Sequence, residues 1–277
     1  MIRIVTDSTC DLPQSVVDGL QITVLPLYIN IGKEAYLDGV DMSRQAFYEQ
    51  LPTFTPHPTT AAPGTDIFKQ TYDQLAAEGA SEILSIHISE TLSATVNIAR
   101  LAAKEGTAVP VTVLDSGQLS LGMGFMAQTA AEAAAQGASM TDILSLLKEQ
   151  GARTHVFAAI DTLTYLRRSG RMNGVIASIG SLLKIKPLLK MHQGEATSER
   201  VRTLNSAYQR LLALLETVGP FEKVALVHTH SEDRADALQQ LAAHLLPDGE
   251  IPSVDITPVL GAHLGPNAVG FACISNR

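Results

Sequence analysis

The chain has 277 residues, a formal net charge of −8, 45% hydrophobic residues, 5% aromatics and no tryptophan. The acidic balance argues against general nucleic-acid binding, which needs a basic face to displace counterions, and the length allows one large or two modest domains with aliphatic cores. Cys10 and Cys273 lie at opposite ends and form no CxxC pair, so neither a disulfide framework nor a zinc site is expected; with no signal-like apolar region at the start and no run of about 18 apolar residues, a cytoplasmic chain without a membrane span is expected.

In chain order, short β-rich runs alternate with helical patterns: IRIVT then DLPQSVVDGL, ITVLPLYIN then MSRQAFYEQL, EILSIHIS then TLSATVNIARLAAKEG, VTVLD then an alanine-rich helix containing GMGF. That alternation predicts βαβ units on a mostly parallel sheet. After THVFAAID the texture shifts to the basic TLTYLRRSGRMNG and to VIASIGSLLKIKPLLK, with Lys184, Lys186 and Lys190 among apolar residues. A long helix over ERVRTLNSAYQRLLALLETVG is then expected, followed by a strand EKVALVHTH, a helix DRADALQQLAAHLL and a final strand–turn–strand containing GAHLGPNAVG. The predicted fold class is α/β with two α/β domains. The first, residues 1–160, is a mostly parallel Rossmann-like sheet flanked by helices, and the second, residues 161–277, is a smaller α/β unit.

Ligands of open α/β sheets bind beyond the carboxyl ends of the strands, so the polar residues there are the first candidates. Hydroxyls dominate them: Thr6, Ser8 and Thr9 beside Asp7, then Ser89, Thr91 and Ser93, then Ser116 and Ser120 beside Asp115. Such residues also cap helices, and Asp11 and Thr65 are read as caps only. Ser93 is expected in a helical first turn, where free N–H groups and the dipole favour a carboxylate or phosphate. Thr60, ahead of a proline-containing turn, offers a second donor, and His263, among glycines, a third. The three would suit a carboxylate.

Other chemistries are poorly served. His228 and His230 with Asp233 lack a third convincing metal ligand, so no metal is expected. Neither phosphate-binding glycine motif occurs, so no nucleotide cofactor is expected, and GMGF reads as a close helix–helix approach. A Ser93, His263 and Asp7 triad can be drawn but not established, leaving an independent hydrolase of an acyl ester or phosphate as the alternative. Arg167, Arg168 and Arg171, followed by KIKP, form the one cationic surface that stands out, suited to a phosphate-bearing or acidic partner.

The stretches TDSTCDLP (6–13), VLPLYI (24–29), YLDGVDMS (36–43), TTAAP (59–63), TLSAT (91–95), LDSGQLSLGMG (114–124), YLRRSGR (165–171), IKPLL (185–189) and HLGPNAVG (263–270) occur in this order. Together they resemble the DegV family, bacterial fatty-acid-binding proteins that act as the binding subunit of fatty acid kinase. The resemblance runs essentially end to end. It implies a two-domain α/β protein that holds a long-chain fatty acid in an apolar tunnel, with its carboxyl on Thr60, Ser93 and His263 and with Ala61, Ala94 and Gly265 beside it. It also implies that Arg167, Arg168, Arg171 and Arg202 face an ATP-dependent kinase subunit, which would phosphorylate the acid to an acyl-phosphate; this chain would carry lipid, not catalyse.

Four positions depart from the family motifs: Ala61 stands where Ser is usual, Ala94 where Gly is usual, and Leu264 and Asn267 where Thr and Gly are usual. The energetics fit a carrier, because burying an acyl chain of about sixteen carbons offers about 12 kcal/mol at roughly 0.8 kcal/mol per methylene before association costs. Apolar burial would carry affinity, and the polar trio would fix which end faces out. The Ala- and Met-rich stretch GMGFMAQTAAEAAA is a candidate tunnel wall.

Overall fold

The computed structural model describes residues 1–171 and 185–276. Its first part runs β1 (Ile2–Asp7), a 3-10 turn (Ser8–Cys10), α1 (Gln14–Gly19), β2 (Thr23–Leu25), β3 (Tyr28–Ile31), β4 (Glu34–Leu37), α2 (Arg44–Gln50), β5 (Thr59–Ala61), α3 (Thr65–Ala77), β6 (Glu82–His87), α4 (Thr95–Lys104), β7 (Val111–Asp115), α5 (Ser120–Ala135) and α6 (Met140–Arg153). The rest runs β8 (Thr154–Ala159), α7 (Thr164–Arg168), β9 (Lys186–His192), β10 (Glu195–Val201), α8 (Leu204–Val218), β11 (Phe221–His228), α9 (Glu232–Ala242), β12 (Ser253–Asp255), α10 (Pro258–Leu264) and β13 (Val269–Ser275).

The expected parallel sheet forms in the order β2-β1-β6-β7, every pair parallel. A second sheet, β10-β9-β8-β13-β11-β12, is antiparallel except at β11–β12. A small antiparallel sheet, β4-β3-β5, stands apart. Between the two large sheets lies α5, whose Leu121, Met123 and Met126 pack in one core with Ile4 and Ile86 of the first sheet and Val156, Ala225 and Ala272 of the second. Covered on both sides, this helix is apolar almost all round.

Several expectations change. ITVLPLYIN is not one strand: Pro26 lacks an N–H and restrains the residue before it, so β2 joins the parallel sheet and β3 the small one. β8 pairs with β9 and β13, so the change of sheet falls at Thr154, ahead of the boundary expected at 160. ERVR is not helical. The turn at Gln193 and Gly194, both with positive φ, folds β10 back on β9, and α8 starts only after Thr203, whose side chain accepts from the Ser206 N–H.

The final strand–turn–strand is instead a strand, a helix and a strand. Pro258 occupies the first turn of α10, where a missing N–H costs nothing, and the helix ends at Gly265. Gly124 does not separate two helices; a side chain there would overlap the carbonyl of Cys10 in the 3-10 turn. Thr65 opens α3 without a side-chain cap, Gly64 holding the cap position. Lys184 and the VIASIGSLL stretch lie outside the described residues. No described helix is long and apolar enough to cross a membrane.

Candidate functional site

A cavity of about 280 Å³ opens between the carboxyl end of the parallel sheet, one face of the second sheet and α10. Its walls are mostly aliphatic: Leu27, Ile88 and Leu92 beyond the first sheet, Val156, Met191 and Val227 on the second, Val259 and Leu260 on α10. The size is near the lower limit of small-molecule sites. The α5 stretch from Gly122 onward does not line it and serves as core between the sheets; only Leu119 and Ser120, at the start of that helix, reach the wall.

Thr60, Ala61, Ser93, Ala94, His263 and Arg171 all border this cavity. Thr60, on β5, places Oγ1 3.0 Å from His263 Nε2, across 203 residues of chain. Ser93 lies just ahead of α4 rather than within it; its Oγ accepts from the Thr95 N–H at 3.3 Å and pairs with Thr95 Oγ1 at 2.8 Å. Gly265 is not on the wall. It ends α10 with φ 77°, and a side chain there would overlap the ring of Tyr165.

Burial, helped by the charges of Arg171 and His57, pushes the pKa of His263 down to about 4, so the imidazole is neutral at pH 7. Its Nδ1 is buried and has no hydrogen-bond partner among the described residues. A neutral imidazole has one N–H and one bare nitrogen. If Nε2 accepts from Thr60, Nδ1 carries the free hydrogen; if Nε2 donates to Thr60 Oγ1, the threonine hydroxyl is free to donate. Either way the pair can give one hydrogen bond to a carboxylate without itself being charged. His57 fixes the helix from behind, its Nε2 2.9 Å from the Ala262 carbonyl.

The arginines separate. Arg171 borders both the cavity and the outer recess formed by Glu90–Ala94 and Gly170, so it stands at the rim beside Ser93. Arg167 and Arg168 are exposed in the last turn of α7. Arg202 is exposed on the turn between β10 and α8 and does not border the cavity. Of the KIKP lysines expected to extend the cationic surface, Lys186 is paired, its Nζ 2.6 Å from Asp161; Lys190, further along β9, lies 2.7 Å from Glu199.

Asp11, read from sequence as a cap, is a junction. Wholly buried, it accepts from Ser120 Oγ at 2.7 Å and from the Thr257 N–H at 2.8 Å, and Arg44 approaches to 3.3 Å. Burial raises its pKa to about 7 against these partners. Tyr48 Oη donates to the Ile256 carbonyl at 2.8 Å and Thr257 Oγ1 bonds Asp38, so the start of α10 is held by Asp11, Asp38 and Tyr48. No local pattern in the sequence marks this role.

The triad drawn from Ser93, His263 and Asp7 does not assemble. Asp7 Oδ2 is 2.9 Å from His87 Nδ1, and His87 Nε2 is 2.7 Å from Ser85 Oγ. This Ser–His–Asp row is fully buried beneath Tyr72, which also bonds Ser85, so no substrate reaches its serine. In HTHSEDR, His228 Nδ1 accepts from the Ser231 N–H at 3.2 Å and His230 stacks on Tyr48. Among the described residues no three His, Cys, Asp or Glu side chains gather as a metal site.

A family model, "Uncharacterised protein, DegV family", matches residues 1–276. A DegV domain-containing protein of Streptomyces coelicolor is 35% identical over 280 residues, covering 100% of this chain and 99% of the relative. The solved structure of a fatty-acid-binding DegV family protein from Thermus thermophilus is similar with a TM-score of 0.89 at 33% identity, covering 99% of each chain. That of DegV, a fatty acid binding protein from Bacillus subtilis, has a TM-score of 0.90 at 30% identity, again over 99% of each chain.

Proposed function

The chain belongs to the DegV family, and on that footing we propose that it binds a long-chain fatty acid in the apolar cavity and presents the carboxylate at the Arg171 rim to an ATP-dependent kinase subunit in the cytoplasm. The single observation that carries this reading is the polarity of the cavity: mostly aliphatic walls, with Thr60 and His263 in contact on its border and Ser93 and Arg171 shared between it and the outer recess. Apolar burial supplies the affinity, at roughly 0.8 kcal/mol per methylene. The neutral hydroxyl and imidazole donors fix the acid end, and Arg171 supplies the countercharge where the site meets solvent. Ala61 and Ala94 flank the head group, and Gly265 lets α10 end tightly against Tyr165, which sets the position of His263. The kinase would hold ATP and form the acyl-phosphate, meeting this chain across Arg167, Arg168, Arg171 and Arg202.

Native mass spectrometry of the protein purified from a bacterial host tests the binding step, with one fatty acid per chain as the expected result. A lipid-free protein that also takes up no fatty acid in solution would overturn it. For the partner step, ATP-dependent formation of acyl-phosphate should require both this chain and the kinase subunit. Turnover of an acyl ester by this chain alone would overturn the carrier role.

A further inference from the structure

The run HTHSEDR gathers no metal site among the described residues, and its threonine has a different task. Thr229 follows β11 directly and faces the turn from Gly265 to Ala268, which joins the end of α10 to β13. Its Oγ1 donates to the Gly265 carbonyl at 2.8 Å and accepts from the Ala268 N–H at 2.7 Å. Its own N–H donates to the Ala268 carbonyl and its carbonyl accepts from the Asn267 N–H, each at 3.0 Å. One residue thus takes four hydrogen bonds of a single turn. From the other side, Arg234 of α9 donates to the Asn267 carbonyl at 2.9 Å and grips Asp161 at 2.9 and 3.2 Å.

The helix α10 needs such a tether. It has seven residues, about two turns at 3.6 residues per turn, too short to hold together without tertiary contacts. His263 stands in its last turn, where the carbonyls run out of partners within the helix. Gly265 leaves the helix with φ 77°, and Thr229 catches its carbonyl two residues beyond His263. On the β5 side, His57 holds the Ala262 carbonyl and Thr60 meets the His263 ring. Thr229 anchors the same helix end to the second sheet. It is wholly buried and does not border the cavity, whereas Val227, two residues earlier on β11, does. Contact with a ligand is therefore not its role.

We propose that Thr229 is a positioning residue for the acid end of the ligand: its hydroxyl fixes the end of α10 and so aims His263, without touching the ligand. The inference rests on the fatty-acid reading above. A valine in its place leaves the Gly265 carbonyl and the Ala268 N–H unpartnered in the interior, where such groups are costly. The turn must then shift to find other partners, and the end of α10 shifts with it. The apolar walls on β8 and β9 are untouched, so the acyl chain is held as before while the carboxylate loses the donor aimed at it.

The test compares stearate with its methyl ester, which has the same chain and no charge, by competitive displacement of a fluorescent fatty acid from delipidated protein at neutral pH. Thr229→Val should bind stearate about tenfold more weakly, the worth of one hydrogen bond to a charged group, and the ester within about twofold of wild type. Thr229→Ser keeps the hydroxyl and should recover most of the stearate affinity. Thr229→Cys, close in size but with only a weak S–H donor, gives the same comparison if the valine variant does not fold. Equal loss for acid and ester would mean a general structural role, and unchanged stearate affinity in the valine and cysteine variants would mean that His263 is aimed without Thr229; either result overturns the inference. Failure of wild type to bind stearate at all would instead remove the fatty-acid reading, and this inference with it.

Discussion

His263 titrates in a way that only its surroundings dictate, and replacing it with Gln isolates that effect. Burial, with Arg171 and His57 nearby, lowers its pKa from the ordinary 6.5 to about 4 in the folded chain. Protons therefore bind the unfolded chain more tightly at this residue. Stability from the neutral imidazole is fully present above pH 6.5 and is lost as pH falls from there toward about 4. The span is worth about 3 kcal/mol, at about 1.36 kcal/mol for each tenfold in proton affinity.

Other groups, including His155, whose pKa burial and His192 also push down to about 4, contribute equally to both proteins. The difference between wild type and His263→Gln is therefore the quantity to read. Urea unfolding of delipidated protein at a series of pH values should show wild type losing about 3 kcal/mol more than the variant between pH 7 and 4. A bound carboxylate favours the imidazolium and should shrink that difference when fatty acid is present. Parallel pH profiles without lipid would refute the buried, neutral histidine and with it the donor arrangement at the head group.

Ala158 lies on the cavity wall formed by β8. Ala158→Phe should weaken long-chain acids more than tenfold while sparing short ones, measured by displacement titration, because overfilling competes with ligand volume. Arg171→Ala should reduce both fatty-acid affinity and phosphorylation by the kinase, whereas Arg167→Ala should reduce phosphorylation alone; equal effects from both would show that the rim and the partner surface are not distinct. Asp7 accepts from Thr9, His87 and the Ile88 N–H in a fully buried row. Asp7→Ala should cost about 3 kcal/mol in unfolding free energy, and neither protein should hydrolyse an acyl ester. Gly265→Ala meets both a positive φ and the Tyr165 ring, so a loss of about 2 kcal/mol or more is expected by thermal unfolding.

The sequence by itself determined what local periodicity and local chemistry can determine. Alternating short apolar runs and amphipathic stretches were enough for a parallel sheet and its helices, and local chemistry was enough to single out Thr60, Ser93 and His263 as candidates, all three of which border the cavity. What tertiary structure alone decided is which distant groups meet. The ERVR stretch, expected to open a helix, instead ends strand β10, because Glu195–Val201 finds its partners across the Gly194 turn on β9. Asp11 looks like a cap and is instead claimed by Ser120, Arg44 and Thr257, the last 246 residues away. Arg171 read as part of an outward cationic run, yet it borders the cavity, because Leu166 of α7 packs with Leu264 at the end of α10 and with Ala268 just beyond it. A side chain's type and its nearest neighbours are written locally, but burial and hydrogen-bond partners depend on chain segments brought together by the core, and no short stretch of sequence records them.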